Sequence, residues 1–192
     1  KYFNPEVVQN LFEIDPKTSE YIQNKYGHLF NDEITSIHVR RGDYLASSDN
    51  YSVCSYNYFK SAINPIGMKK KFLITSDDIQ WCKKKFRGSN FFFSQGESAI
   101  VDMYLQSCCT NNIISNSSFS WWGAWLNKNP KKIVIGPEPW FGIAFRNKST
   151  KDLIPENWLR MKNTTPLGYR IAGYFIWWRK RINYFYETKI SK

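Results

Sequence analysis

Short apolar runs alternate with amphipathic segments along most of the chain. Five runs have the length of buried strands, at 34–40, 71–75, 91–93, 112–115 and 132–135. The segments between them predict helices, at 56–63, 78–86, 98–109 and 118–127. Apolar strands that alternate with helices are typical of a parallel sheet covered on both faces. The pattern therefore predicts an α/β fold with about five parallel strands.

The two ends of the chain depart from this alternation. Residues 1–32 are predicted to be a helical lead-in, broken at Asp15-Pro16, and residues 33–165 form the α/β domain. After Pro139 the alternation stops, and the segment up to residue 165 is expected to fold back over the sheet. At the start of helix 78–86, Asp77 or Ser76 is the predicted N-cap.

Residues 166–192 form a basic, aromatic tail with the pattern of an amphipathic helix. Its apolar residues follow helical spacing: Leu167, Ile171, Tyr174, Phe175, Trp178, Ile182 and Phe185. Its basic residues fall mostly elsewhere: Arg170, Arg179, Lys180 and Arg181. Two interpretations stay open. The helix over 167–187 lies in a membrane interface, or it docks on this protein or on another domain.

The composition favours one chemical class of binding partner but does not identify a particular partner. The 192 residues are 42% hydrophobic, enough for one domain with a core, and their formal net charge of +11 favours anionic partners. Nucleic acid is disfavoured, because the basic residues are not interleaved with aromatics on one face of the domain. The four cysteines form no C-x-x-C pair, so reduced thiols in a cytosolic compartment are expected.

The motif HVRRGDY, residues 38–44, follows the first predicted strand. Ligands of open parallel sheets bind at the carboxyl ends of the strands. Arg40 and Arg41 offer rigid forks of donors that match phosphate oxygens, and Asp43 can orient one of them. With His38 on the same strand face as Arg40, the motif predicts a diphosphate clamp. The alternative is a basic surface turn.

A second motif, SNSSFSWWGAWLN at 115–127, follows the fourth strand and opens a helix. Either Ser117 or Ser118 can cap that helix, and Asn116 lies in the same turn. Backbone N–H groups and the helix dipole favour an anion there, so this turn is a second predicted phosphate site.

Carboxylates stand near two further strand ends. Asp77 and Asp78, in FLITSDD at 72–78, can accept hydrogen bonds from ribose or sugar hydroxyls, although a helix N-cap would explain one of them without function. Asp102 lies early in the helix before the serine turn, where a buried carboxylate can bind guanine. A first-turn helix charge is the simpler explanation of Asp102.

Together, HVRRGDY and SNSSFSWWGAWL resemble glycosyltransferase family 11, the α-1,2-fucosyltransferases, with FLITSDD and KDLIPENW (151–158) similar to bacterial members. The resemblance covers residues 1 to about 158. It implies the Rossmann-like, C-terminal half of a GT-B-type enzyme that transfers L-fucose from GDP-fucose to the 2-hydroxyl of a β-galactoside. Transfer would invert the anomeric centre, with no metal and no cofactor beyond the GDP-fucose co-substrate.

By the same resemblance, Arg40 contacts the β-phosphate, and Arg41 stabilises the donor or the motif itself. Catalytic roles are therefore assigned to Arg40, Arg41 and Asp43. Donor binding is assigned to seven residues: His38, Arg40, Asp77, Asp102, Asn116, Ser117 and Ser118.

The catalytic base is left open among Asp43, Asp49, a missing N-terminal domain, or no base at all. Family members carry such a domain before the point at which this chain begins, so a fragment without activity of its own is expected. A cytoplasmic bacterial protein is implied, with the tail as its contact to the inner membrane face. The alternatives are an inverting transferase with another donor or a non-catalytic nucleotide-binding module.

Overall fold

The computed structural model of the protein describes residues 4–190, without the side chains of residues 185–190. It contains one sheet of six parallel strands. The strands are β1 (Ile34–Val39), β2 (Lys71–Ser76), β3 (Phe91–Phe93), β4 (Asn111–Ile113), β5 (Val134–Glu138) and β6 (Leu159–Lys162). Their order in the sheet is β3-β2-β1-β4-β5-β6. The predicted α/β fold with a parallel sheet is confirmed.

Helices connect and cover the strands. They are α1 (Pro5–Leu11), α2 (Pro16–Tyr26), α3 (Gly42–Ala46), α4 (Tyr56–Ile63), α5 (Ile79–Lys85), α6 (Ala99–Cys108), α7 (Ser118–Leu126) and α8 (Leu167–Ile190). The predicted break between α1 and α2 is confirmed, with Asp15 as the N-cap of α2. The short helix α3 was not predicted, because its sequence follows the double arginine directly and carries no apolar periodicity.

The prediction of five strands was wrong by one, because β6 is an edge strand. Its four residues pair only with β5, and none of them is buried, so the sequence Leu-Arg-Met-Lys shows no buried run. The segment after Pro139 packs on β5 through Ile154 and Trp158, as expected, and then extends the sheet as β6. Strand β5 also continues through Gly136 and Pro137, which were expected to stop it. Pro137 lies beyond the end of β4, where β5 has a neighbour on one side only, and sheets tolerate proline there.

The core lies on both faces of the sheet. On one face, residues of α4 and α5 such as Phe59 and Cys82 pack with Ile37 of β1. On the other face, Ile22 of α2 and Leu105 of α6 pack with β1 and β2, so the lead-in helix α2 is part of the same core. A third cluster joins α7 to β5 and to the segment before β6 through its tryptophans.

The predicted tail helix is confirmed as α8, and it docks on the loop after α3. Gly173 is buried against this loop, and a Cβ atom built on it would lie 2.7 Å from the backbone oxygen of Ser48. Lys180 Nζ lies 2.7 Å from Oδ2 of Asp49, whose side chain is fully buried. The apolar stripe predicted for the tail faces away from this contact. Its described members are exposed, from Ile182 at 42% to Phe175 at 73%, and Phe185 lies outside the described side chains.

We expect Gly173→Ala to destabilise the docked helix, although alanine is the better helix former. The new methyl group meets backbone atoms that cannot move aside cheaply, at a cost larger than the propensity gain of about 1 kcal/mol. A net loss of about 1–2 kcal/mol and faster hydrogen exchange over residues 167–184 are expected, measured by denaturant unfolding and mass spectrometry.

Gly168→Ala is the matched control, because a Cβ atom on Gly168 of the same helix meets nothing within 4 Å. Equal stability of the two variants would show that α8 does not depend on its contact with the Ser48 loop.

Candidate functional site

The candidate site lies at the carboxyl edge of the sheet, where β1 stands between β2 and β4. Chain order runs from β1 to β2 and β3 on one side, and continues with β4, β5 and β6 on the other. Strands β1 and β4 are therefore neighbours at a reversal of strand order, and open α/β sheets bind ligands in the crevice at that point. Both predicted phosphate motifs follow these two strands, HVRRGDY after β1 and the serine turn after β4.

His38 lies beneath this crevice and is 3% exposed. Its Nδ1 atom lies 2.8 Å from Oγ of Ser115, and its ring packs 5.2 Å from the ring of Phe119. Burial, with a contribution from the Arg40 charge, lowers the pKa of His38 to about 3. The imidazole is therefore neutral, and its hydrogen bond to Ser115 joins the ends of β1 and β4.

Arg40 presents a half-buried guanidinium at the crevice. Its Nε atom donates to Oδ1 of Asp43 at 2.9 Å and lies 3.3 Å from Oδ2 of Asp77. Within the described residues, its two Nη atoms have no hydrogen-bond partner. Burial disfavours the charge, but the two carboxylates outweigh it and raise the pKa of Arg40. The fork of donors is thus held by its Nε edge, and its outer edge is available to an anion.

Arg41 is enclosed by protein, in contrast to its neighbour. Its side chain is 8% exposed, and its Nε atom donates to Oδ2 of Asp78 at 3.1 Å. The guanidinium carbon stands 4.1 Å from the ring centre of Trp81, and Nη2 lies 3.4 Å from the hydroxyl oxygen of Tyr169 in α8. This placement favours the second of the two roles predicted for Arg41, which is to stabilise the motif.

Asp77 organises the double-arginine turn from the end of β2. Its Oδ1 atom accepts from the backbone N–H of Arg41 at 2.9 Å, while Oδ2 faces Arg40. A Cβ atom on Gly42 would lie 2.7 Å from that Oδ2, so a larger residue at this position would displace the Asp77 carboxylate. The predicted N-cap of α5, Asp77 or Ser76, was wrong. Asp78 is the N-cap and accepts from the N–H of Trp81 at 3.1 Å, because Asp77 is committed to the arginine turn.

The serine turn begins with a buried, hydrogen-bonded asparagine and ends with an exposed serine. Asn116 is 2% exposed, donates through Nδ2 to the backbone oxygen of Trp140 at 2.7 Å, and accepts from the Cys54 thiol. Ser117 is the N-cap residue of α7, and its side chain makes no capping hydrogen bond. Ser118, the first residue of α7, is exposed. The hydroxyl of Ser118 and the unpaired N–H groups of the first helical turn can therefore bind an anion together.

Asp102 lies in the first turn of α6, at the carboxyl end of β3. Its Oδ1 atom accepts from the hydroxyl of Ser94 at 2.5 Å. Burial raises the pKa of Asp102, and the hydrogen bond from Ser94 opposes this rise. Its Oδ2 atom has no partner among the described residues, so it can accept from an N–H group of a base.

The remaining carboxylate candidates differ in access. Asp43 is 59% exposed and holds Arg40, which is the contact that its predicted orienting role requires. Asp49 is fully buried beneath α8 and paired with Lys180. Its carboxylate is therefore not accessible to the hydroxyl of an acceptor sugar. Among the described residues, no three His, Cys, Asp or Glu side chains lie together as metal ligands.

Two residues that hold Arg41 were missed as site residues: Trp81 and Tyr169. Asp78 was expected to accept from a ribose or sugar hydroxyl, and nothing in the sequence pairs it with Arg41, which it contacts in the structure. Tyr169 lies 128 positions away, and no local pattern links it to this turn.

The fold and the site define an α/β protein whose topological switch point presents the outer edge of Arg40 and the first turn of α7. The sequence profile of glycosyl transferase family 11 matches residues 2–162. The chain belongs to this family of glycosyltransferases, and its Rossmann-like fold is that of a GT-B-type enzyme.

Three curated relatives carry related activities in their names. The chain is 37% identical to the O-antigen biosynthesis glycosyltransferase WbnK of Escherichia coli over 64% of its own length and 44% of the relative's. It is 38% identical to an alpha-1,2-colitosyltransferase of Escherichia coli, over 66% and 47%. It is 31% identical to the galactoside 2-alpha-L-fucosyltransferase Sec1 of Mus musculus, over 56% and 37%. The chain thus spans less than half the length of each of these relatives.

The buried neutral His38 predicts a loss of stability in mild acid. Its pKa is lower in the folded chain than the ordinary value near 6.5, so the unfolded chain binds the proton first as the pH falls. Its contribution should decrease by about 2 kcal/mol between pH 7 and pH 5. Urea unfolding at both pH values should therefore show a smaller decrease for His38→Asn than for the unchanged protein.

His28→Asn is the control, because His28 is exposed and is the only other histidine of the chain. An identical pH dependence of the unchanged protein and His38→Asn would contradict a buried neutral imidazole.

Proposed function

We propose that the protein transfers L-fucose from GDP-fucose to the 2-hydroxyl of a terminal β-galactoside, with inversion and without a metal. One observation carries the proposal: the outer edge of Arg40 and the start of α7 flank the same junction of β1 and β4. A diphosphate at this junction would receive a rigid cationic fork from one side and helix N–H groups from the other.

The chemistry follows from where charge develops. When the bond between fucose C1 and the β-phosphate oxygen breaks, negative charge grows on the phosphate and positive charge on the sugar ring. Arg40 would stabilise the leaving GDP, and Asp43 and Asp77 would hold its guanidinium in place beforehand. The acceptor hydroxyl would attack from the opposite face and lose its proton to a base or to water.

The guanine would be bound by Asp102, and the phosphates by Ser117 and Ser118. The carboxylate of Asp102 has one oxygen available and lies at the same carboxyl edge of the sheet as Arg40. Asn116 and His38 would act from beneath, since their side chains are buried and already bonded to protein. Arg41 would position Arg40 through the shared turn.

A second donor is favoured by a specific observation. A relative of 38% identity is named as a colitosyltransferase with the same alpha-1,2 linkage. The alternative function is therefore transfer of colitose to an acceptor hydroxyl by the same clamp. The clamp acts on the diphosphate and does not distinguish the two sugars.

Product analysis tests this proposal. The full-length gene product, given GDP-fucose and lactose, is expected to form 2′-fucosyllactose, identified by NMR of the new linkage. Arg40→Ala should lower kcat/KM by a factor on the order of 10²–10³, because a transition-state charge loses its partner. The same change should abolish the rise in melting temperature caused by GDP.

Arg87→Ala is the matched control, because Arg87 is exposed and, within the described residues, its side chain hydrogen-bonds only to the backbone oxygen of Lys84. Equal melting shifts with GDP, UDP and ADP would contradict the guanine assignment to Asp102. Product formed from the colitose nucleotide and not from GDP-fucose would replace fucose as the donor sugar.

We also propose that the protein works in the bacterial cytoplasm, with α8 on the inner membrane face. The exposed stripe of α8 includes Phe175 and Trp178, and Arg179 and Arg181 lie beside it. Acidic headgroups complement these charges, and an aromatic stripe suits the interface of a bilayer. No helix in the described part of the chain is long and apolar enough to cross a membrane.

Vesicle binding tests the proposed membrane contact. Trp178→Glu should weaken co-sedimentation with phosphatidylglycerol vesicles by about tenfold, because a charge replaces an inserted aromatic ring. Leu11→Glu, which changes an exposed leucine on α1, should have no effect. Equal binding by Trp178→Glu and the unchanged protein would show that the stripe does not contact lipid.

A further inference from the structure

A second cavity of about 560 Å³ opens at the carboxyl ends of β5 and β6, beside the crevice already described. Apolar side chains, among them Trp140 and Ile154, form part of its lining. Five cationic side chains line it: Arg146, Lys148, Arg160, Lys162 and Arg170. Glu138 is the single acidic residue in the lining, so the charge of the cavity is strongly positive.

Most of this charge is not compensated by protein. Glu138 stands 3.8 Å from Arg160, and Lys148 lies over the ring of Phe145. The other three cations, Arg146, Lys162 and Arg170, have no ion pair and no side-chain hydrogen bond among the described residues. Cationic side chains that converge on one concave surface attract an anion more strongly than the same charges would when dispersed.

A buried hydroxyl points to the same ligand. Ser48 lines the cavity and is 5% exposed, and its Oγ atom has no hydrogen-bond partner in the described structure. Buried hydroxyls are almost always paired, so this one can take a further partner, a water or a ligand oxygen. The neighbouring hydroxyls of Ser52 and Thr165 already bond to each other at 2.8 Å. An oxygen-rich ligand in the cavity would satisfy Ser48 once rotation of the side chain turned Oγ, which is itself buried, towards the cavity.

The cavity adjoins the proposed donor site through one hydrogen bond. Asn116 of the serine turn donates to the backbone oxygen of Trp140, and Trp140 lines the cavity. Strand β5, which leads into the cavity, is also the direct neighbour of β4. A ligand held here would lie next to the transferred sugar, on the side away from Asp102 and β3.

We infer that this cavity binds a phosphate ester carried by the acceptor, on a saccharide or on a lipid. A phosphate monoester brings close to two negative charges and three acceptor oxygens, and a lipid phosphodiester brings one charge and two such oxygens. Both groups can accept from several cationic donors and a hydroxyl at once. The aromatic wall would pack on the apolar part of the same ligand. The identity of this ligand as the acceptor rests on the proposed function, whereas binding of a phosphate ester in the cavity does not.

Galactose 1-phosphate and galactose are the paired soluble probes, titrated by NMR in the presence of saturating GDP so that the donor clamp is occupied. Galactose 1-phosphate should bind at least about tenfold more tightly than galactose, and Lys162→Glu should remove that difference. Arg146→Glu, on a different segment, should do the same if Lys162→Glu fails to fold. Lys60→Glu, at an exposed lysine of α4, is the matched control and should change nothing.

A vesicle arm distinguishes the two sources of the phosphate. If Lys162→Glu weakens soluble binding and leaves binding to phosphatidylglycerol vesicles unchanged, the ligand is a saccharide phosphate. If it weakens both, a lipid phosphate occupies the cavity. Equal affinity for galactose and galactose 1-phosphate, or no effect of either charge reversal on any probe, would overturn the inference.

Arg40→Ala separates this inference from the proposed function. The variant should lose the GDP effect and keep its affinity for galactose 1-phosphate. If the unchanged protein binds GDP but does not prefer galactose 1-phosphate to galactose, only the inference about the cavity is refuted. Absence of GDP binding in the unchanged protein, with a Lys162-dependent phosphate preference, would refute only the proposed function.

Discussion

The pairing of β1 with β2 on one side and β4 on the other is the constraint on which the site depends. Because all three strands are parallel, the turns that follow them meet at one edge of the sheet. Because the chain reverses its direction of progress between β1 and β4, the helices after these strands leave to opposite sides and open a crevice. The buried hydrogen bond between His38 and Ser115 closes the floor of that crevice.

This arrangement places the adjacent residues Arg40 and Arg41 in different environments. Asp77 accepts the backbone N–H of Arg41 and faces the guanidinium of Arg40, so one carboxylate sets the geometry of both. Arg41 is then directed into the protein, between Asp78 and Trp81, while Arg40 keeps its outer edge exposed. Because Arg41 is held rigidly, its neighbour Arg40 has less freedom to move. A fixed guanidinium can stabilise an anion without first reorganising.

The helix α8 connects regions that the sequence keeps apart. It lies beyond the segment matched by the family profile, yet Tyr169 reaches Arg41 and Lys180 reaches Asp49. One side of α8 thus packs on the loop after α3, and its other side presents an apolar stripe. Arg170, at its start, also lines the second cavity. The double-arginine turn, the cavity and the exposed stripe therefore share one structural element.

The sequence by itself determined the layered α/β fold, because the burial of short apolar runs between amphipathic helices leaves few alternatives. It also placed HVRRGDY and the serine turn at strand ends, since those motifs are local. It could not show β6, whose exposed residues lack a buried pattern, nor the N-cap of α5, where Asp77 and Asp78 compete and a distant turn decides. Tertiary structure alone decided which arginine is exposed, that Asp49 is buried, and that α8 turns its apolar stripe outward. These outcomes depend on contacts between residues far apart in the chain, and local spacing carries no information about such contacts.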